Sequence, residues 1–245
     1  MYFQRQSFLS SMPPVVKVIF ITNVALFLLS QVVPFINNNF PIYSFESENF
    51  RPYQFITHLF MHGGIGHIFF NMFALIMFGT VLERYWGSKR FFVYYFVTGI
   101  GAALLHLLVV NYQIHNLMEQ MTANDIQYIH ENGYKLWQSG RNFPGIYGDL
   151  NLYLIVKTVG ASGAVYGLLL AFAIFFPNIP LYIMFIPIPV KAKYVVIFMA
   201  IIELSLGFAH MASDNIAHFA HLGGMLFGLI FIFLWRKMNK DNISY

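Results

Sequence analysis

Three short clusters in this 245-residue chain carry polar side chains inside otherwise apolar sequence. The first is His62-Gly-Gly-Ile-Gly-His67-Ile-Phe-Phe-Asn71, where His67 and Asn71 stand four apart and share one helix face. The second is Gly160-Ala-Ser162-Gly163-Ala-Val-Tyr166-Gly167. The third is His218-Phe-Ala-His221-Leu-Gly-Gly224-Met-Leu-Phe-Gly228, with His221, Gly224 and Gly228 on one face. A serine hydroxyl is a weak nucleophile at neutral pH and needs a base within hydrogen-bond reach, a task that suits histidine. His221 could take the Ser162 proton and return it to a leaving amine. The oxyanion formed on the way needs donors aimed at it. The Ser162 backbone N–H, at the positive end of its helix, and the side chains of His67 and Asn71 are the candidates.

Each cluster also has a plainer reading. His67 and Asn71 could be a hydrogen-bonded packing pair, and Ser162 a helix N-cap. His218 and His221 could bind a metal at i, i+3, but no acid or third ligand follows at ligand spacing. No carboxylate partner for His221 is evident. Glu203, mid-span in the fifth helix, reads as structural and Asp214 as a loop residue, so a Ser–His dyad is expected rather than a triad.

The elements that must position these residues lie in a membrane. The chain is 58% hydrophobic and 10% charged, against about 45–50% and about 25% in an ordinary soluble domain. Disorder is excluded on the same grounds. Fourteen Lys and Arg are too sparse for a nucleic-acid surface, and the absence of cysteine excludes disulfides, thiolate metal sites and a cysteine nucleophile. Metalloprotease chemistry would show H-E-x-x-H, and intramembrane aspartyl chemistry would need two carboxylates inside spans, where Glu203 stands alone. Neither a metal nor another cofactor is expected.

Six candidate spans can be read, roughly Val15–Val33, Ile65–Leu82, Phe91–Val110, Ser162–Phe176, Tyr194–Ala209 and Ile216–Trp235. They predict an all-α membrane protein forming one domain over residues 1–245. The fourth span covers about 22 Å of a core about 30 Å thick, so it should begin inside the membrane, with Ser162 submerged at its start. Gly163 and Gly167 form a small-residue stripe matching Gly224 and Gly228, and packing the two stripes together would bring Ser162 to His221.

Six spans put both termini on one side. Arg5, Lys17, Arg84, Lys89, Arg90, Lys191, Lys193, Arg236, Lys237 and Lys240, ten of the fourteen basic residues, fall on that side. The positive-inside rule makes it cytoplasmic and places the long loop over about 112–158 outside. In that loop Ile114, Leu117, Met118, Met121 and Ile126 are spaced as one helix face ending near Asn132-Gly133, with a turn at Phe143-Pro144-Gly145. It is expected to be a loop helix, or an interfacial helix beside the active face.

Taken jointly and in this order, the clusters resemble the rhomboid intramembrane serine proteases. The G-x-S-G motif is matched by Gly160–Gly163, A-H-x-x-G-x-x-x-G by Ala220, His221, Gly224 and Gly228, and H-x-x-x-x-H-x-x-x-N by His62, His67 and Asn71. A further pattern, G-x-x-x-E-x-x-x-G-x-x-R-F, is matched by Gly79, Glu83, Gly87, Arg90 and Phe91. The resemblance covers about 15–237 and implies a six-helix rhomboid-like bundle. It implies Ser162 as nucleophile, His221 as base, and an oxyanion hole from His67, Asn71 and Ser162. Tyr166 would stack on His221, and His62 would organise the first outer loop. Glu83 and Arg90 would tie the second and third helices together, and Gly224 and Gly228 would pack. The expected substrates are transmembrane segments of other proteins, cut near their outer end in a cell membrane. A catalytically silent relative that binds membrane clients is the alternative. His58, His106, His115, His130 and His210 are read as packing or loop residues. The first outer loop lacks the Trp-Arg pair of some bacterial relatives.

Overall fold

A computed structural model describes residues 8–182, 189–208 and 218–241. Arg5, His210 and Asp214, and the expected end of the fifth span at Ala209 and start of the sixth at Ile216, lie outside the described residues. Among the described residues, four stretches are long and apolar enough to cross a bilayer: Pro14–Val32, Ile65–Trp86, Ser88–Met118 and His218–Met238. They begin with α1 (Pro14–Val32). The first outer loop carries the short helices α2 (Pro34–Asn39) and α3 (Gln54–Thr57). The second crossing is α4 (Ile65–Ala74), a π-helical turn over Leu75–Gly79 and α5 (Thr80–Trp86). The third is α6 (Ser88–Met118). Two helices fill the long loop, α7 (Ala123–Gln138) and α8 (Gly145–Ile155). The shorter apolar helices α9 (Ser162–Phe175) and α10 (Ala192–Phe208) precede α11 (His218–Asp241). The protein is a multi-pass all-α membrane bundle. Among the described residues, the one strand pair is small and antiparallel, β1 (Pro180–Tyr182) with β2 (Pro189–Lys191), in the loop between α9 and α10.

The helices stay in the membrane because their outward faces are apolar. Phe69, Phe70 and Phe73 on α4, Ile197, Phe198 and Ile201 on α10, and Leu229, Phe233 and Leu234 on α11 are all exposed. In water this would be a large apolar patch; in lipid it is the solvated surface. Inside, α9 packs against both α6 and α11, which also pack on each other. Small residues set that packing, since apolar attraction between helices is weak in lipid. A Cβ on Gly224 would stand 1.9 Å from the Gly163 carbonyl oxygen, so α9 and α11 touch backbone to backbone there. The other two stripe glycines do not meet each other. Gly167 lies against Thr98 and Gly228 against Tyr94, both on α6, whose hydroxyl at Tyr94 donates to the Gly167 carbonyl at 2.7 Å.

The bundle has two unlike ends. At one, Trp86 and Trp235 meet edge to face, the Arg90 guanidinium lies 4.6 Å over the Trp235 ring, and Arg236 stacks on Phe175. Glu83 accepts the α1 backbone N–H groups of Val15 (3.0 Å) and Val16 (2.8 Å) and the Ser88 hydroxyl (2.7 Å). It joins α1, α5 and the start of α6, while Arg90 packs on α11. The other end carries the loop helices. Here α6 runs past its expected end near Val110, because Ile114 is buried, and Leu117 partly buried, against Ile129, Leu150 and Leu154 of α7 and α8. Helix α7 also continues through Asn132-Gly133. Gly133 admits the Asn151 side chain of α8, whose oxygen would lie 2.0 Å from any Cβ there.

Candidate active site

Helix α9 has fourteen residues, about 21 Å of rise, and opens on Ser162. Its N-cap is Ala161, without a side-chain capping bond, so the Ser162 hydroxyl is not used as a cap. Instead Ser162 Oγ lies 3.0 Å from His221 Nε2, in the first turns of α11. The Gly163–Gly224 contact one residue on from the serine is what brings the two helices this close. The Tyr166 ring stacks on the imidazole, with centroids 4.1 Å apart and planes 6° apart, and fixes its tilt.

The other side of the serine is faced by α4. Gly160 has φ +127°, a conformation that side chains rarely adopt, and its missing Cβ would lie 2.8 Å from His67 Nε2 and 3.6 Å from Ser162 Oγ. The Gly63 N–H donates to His67 Nδ1 at 3.4 Å. A neutral His67 ring that accepts at Nδ1 carries its proton on Nε2, so it presents an N–H on the Ser162 side. Asn71 is buried, and its side-chain NH2 has no partner among the described residues. Two donors, one of them unpaired, therefore border the same cavity as Ser162 and His221. His62 packs edge to face on His67 at 5.1 Å.

That cavity has a volume of about 1190 Å³ and runs from α4 and α10 to the loop helices. Phe70, Phe73, Met77, Val195 and Met199 make its apolar wall; Gln113, Asp149, Lys157 and Thr158 make a polar one. Lys157 donates to the Asn37 carbonyl at 2.7 Å, and partial burial holds its ammonium below the usual lysine range. His106, expected to be a packing residue, lines the cavity with its Nε2 3.1 Å from Thr158 Oγ1. The first outer loop is tied to this segment by paired bonds between Ile42 and Thr158.

Glu203 corrects the sequence expectation. It sits at the site, buried, with one oxygen 2.9 Å from His221 Nδ1 and the other 2.6 Å from His218 Nδ1. The Tyr166 hydroxyl donates to it as well. The His221 N–H is not aimed squarely at the oxygen. Glu203 also supplies the third ligand type missing from the local sequence. Among the described residues, Glu203, His218 and His221 are the group whose donor atoms could hold a metal, all within 4.8 Å. Two ligand atoms on a tetrahedral zinc stand about 3.3 Å apart, given bonds of about 2.0–2.1 Å. The two carboxylate–imidazole distances are shorter, so the three side chains stand at direct carboxylate–imidazole contact, with a hydrogen bond on the His218 side. A helix-packing contact this far away in sequence leaves no local signal, which is why spacing alone missed it.

The family model of the Rhomboid domain matches residues 49–238. The chain belongs to the rhomboid family. It is 29% identical over 230 residues to RHOMBOID-like protein 12, mitochondrial, of Arabidopsis thaliana, covering 92% of this chain and 58% of that one. It is 25% identical over 199 residues to Rhomboid protease AarA of Providencia stuartii, covering 76% of this chain and 58% of that one. A shorter match, 34% over 64 residues (26% of this chain, 18% of the relative), is to Inactive RHOMBOID-like protein 8 of Arabidopsis thaliana. The chain spans little more than half the length of the first of these relatives.

Proposed function

We propose that this rhomboid-family protein is an intramembrane serine endopeptidase that cuts transmembrane segments of membrane proteins near one end. The observation that carries the reading is the Ser162–His221 contact of 3.0 Å beside an unpaired, buried Asn71 amide in one cavity. Ser162 Oγ gives its proton to His221 Nε2 as it bonds to the scissile carbonyl carbon. The carbonyl oxygen becomes the oxyanion, met by the Asn71 NH2, the His67 Nε2–H and the Ser162 backbone N–H. As the C–N bond breaks, His221 passes the proton to the departing nitrogen. Water then attacks the acyl carbon, giving a proton to His221. The imidazolium returns that proton to Ser162 Oγ as the acyl–oxygen bond breaks. The polar wall of the cavity gives water a route to a serine at membrane depth.

A substrate segment must leave its helix to expose a carbonyl, and the apolar wall between α4 and α10 is where such a strand would lie. On charge grounds the end with Arg84, Arg90 and Arg236 is cytoplasmic and the site faces the outside of a cell membrane. The silent reading has one support, the match to an inactive relative. Against it stand the serine, the histidine and their contact.

The test is cleavage of a reconstituted single-span substrate. Wild type should cut it, and Ser162→Ala and His221→Ala should each abolish cutting while keeping the thermal unfolding temperature of the parent. Retained cleavage in either variant overturns the dyad.

A further inference from the structure

We propose that Glu203 is a positioning residue for this reaction: its carboxylate, held between Tyr166 and His218, turns and steadies the His221 ring so that Ser162, His221 and Glu203 work as a triad. The inference rests on the protease reading above. Glu203 has no other evident task. It lies on α10, a helix whose remaining surface is largely exposed to lipid, where an unpaired carboxylate would be costly. Its two oxygens are divided. One is 2.6 Å from His218 Nδ1; the other is 2.9 Å from His221 Nδ1 and receives the Tyr166 hydroxyl.

The arrangement decides the His221 tautomer. A carboxylate oxygen beside Nδ1 keeps the proton on that nitrogen, which leaves the Nε2 lone pair facing Ser162 Oγ at 3.0 Å. When Ser162 gives up its proton to Nε2, the ring becomes an imidazolium with Glu203 as its counter-charge. The imperfect aim of the Nδ1–H in the resting state suits this role, since such bonds tighten as the transition state forms. Tyr166 then has two functions: its ring stacks on His221, and its hydroxyl pins the carboxylate that the same imidazole uses. His218 anchors the other oxygen and sets the carboxylate plane.

The test compares wild type, Glu203→Gln, His221→Ala and the Glu203→Gln/His221→Ala double variant, each as the full chain in liposomes. The readouts are kcat and KM on a single-span substrate, the rate of Ser162 labelling by a fluorophosphonate, and the unfolding temperature. The expected result for Glu203→Gln is a drop of ten-fold or more in kcat and in labelling rate, with KM within two-fold of wild type. In the His221→Ala background the same change should leave the residual labelling rate unaltered, because Glu203 acts only through that ring. A kcat within two-fold of wild type overturns the proposal and leaves the dyad intact. A double variant that labels more slowly than His221→Ala also overturns it, since a residue needed only for packing would slow both backgrounds. Wild type that neither cuts nor labels, while a known rhomboid protease labels in parallel, removes the protease reading and this role together.

Discussion

Asn71 offers the sharpest single-residue test of the oxyanion arrangement, because its buried NH2 lacks a partner in the resting protein. Asn71→Ala should lower kcat by about 10²–10³-fold, as loss of one oxyanion donor does elsewhere. KM should barely move, since the donor is used only when charge develops; steady-state kinetics on a single-span substrate would show a KM effect instead if the residue merely packs. Gly160→Ala should be nearly as damaging, because a side chain at φ +127° is strained and would drive into His67. Labelling of Ser162 by a fluorophosphonate would report that loss directly. At this scale much was legible. Ser162, His221, His67 and Asn71 stand out as candidates because a few polar types fall at helical spacing in apolar sequence, while Tyr166 enters only through the family resemblance. Glu203 reads as structural from sequence alone, since its partners are 15 and 37 positions away for His218 and Tyr166, and only packing of α10 on α9 and α11 joins them.

At the scale of elements, the helices are placed by a few specific contacts. Glu83 satisfies two orphan N–H groups at the start of α1 and the Ser88 hydroxyl. Glu83→Ala should cost about 2–4 kcal/mol, the range for losing several charge-assisted bonds and stranding their buried partners. A thermal unfolding temperature equal to wild type would contradict that. In α7 the Thr122 hydroxyl and Asp125 form a capping box, and those bonds hold the Asp125 carboxyl below its ordinary range. The support it gives is present above the unfolded value of about 3.9 and is lost as pH falls through the lower folded value. Hydrogen exchange at the first turn of α7 should therefore rise, after correction for intrinsic rates, only in strong acid, and Asp125→Asn should raise it at neutral pH. The loop helices show where pattern reading fell short. Asn132-Gly133 looked like a stop, but that glycine serves close approach of Asn151 rather than a turn. The extension of α6 through Met118 is stabilised by Ile114 and Leu117 packing on α7 and α8, a tertiary contact that local sequence does not announce.

At the scale of the whole molecule, the sparse charges and the aromatic residues divide the bundle into a basic, tryptophan-rich end and an end that carries Ser162 and the loop helices. The membrane class, the one-sided charge and the short fourth helix were readable from composition and run length. The cavity was not, because it is made where α4, α6, α9, α10 and the loop converge. The chain has no cysteine, so single cysteines report topology cleanly. Ser139→Cys on the loop should react with a membrane-impermeant maleimide on intact cells, and Met238→Cys only after permeabilisation; the reverse pattern would invert the assigned orientation. Cleavage by Ser162 within the membrane is tested most directly by mass mapping of the products from a panel of single-span substrates reconstituted with wild type and Ser162→Ala. One cut is expected, close to the end of the transmembrane segment on the Ser162 side, made by wild type and never by Ser162→Ala. Cuts that persist in Ser162→Ala, or that fall only in the soluble portions of the substrates, would contradict it.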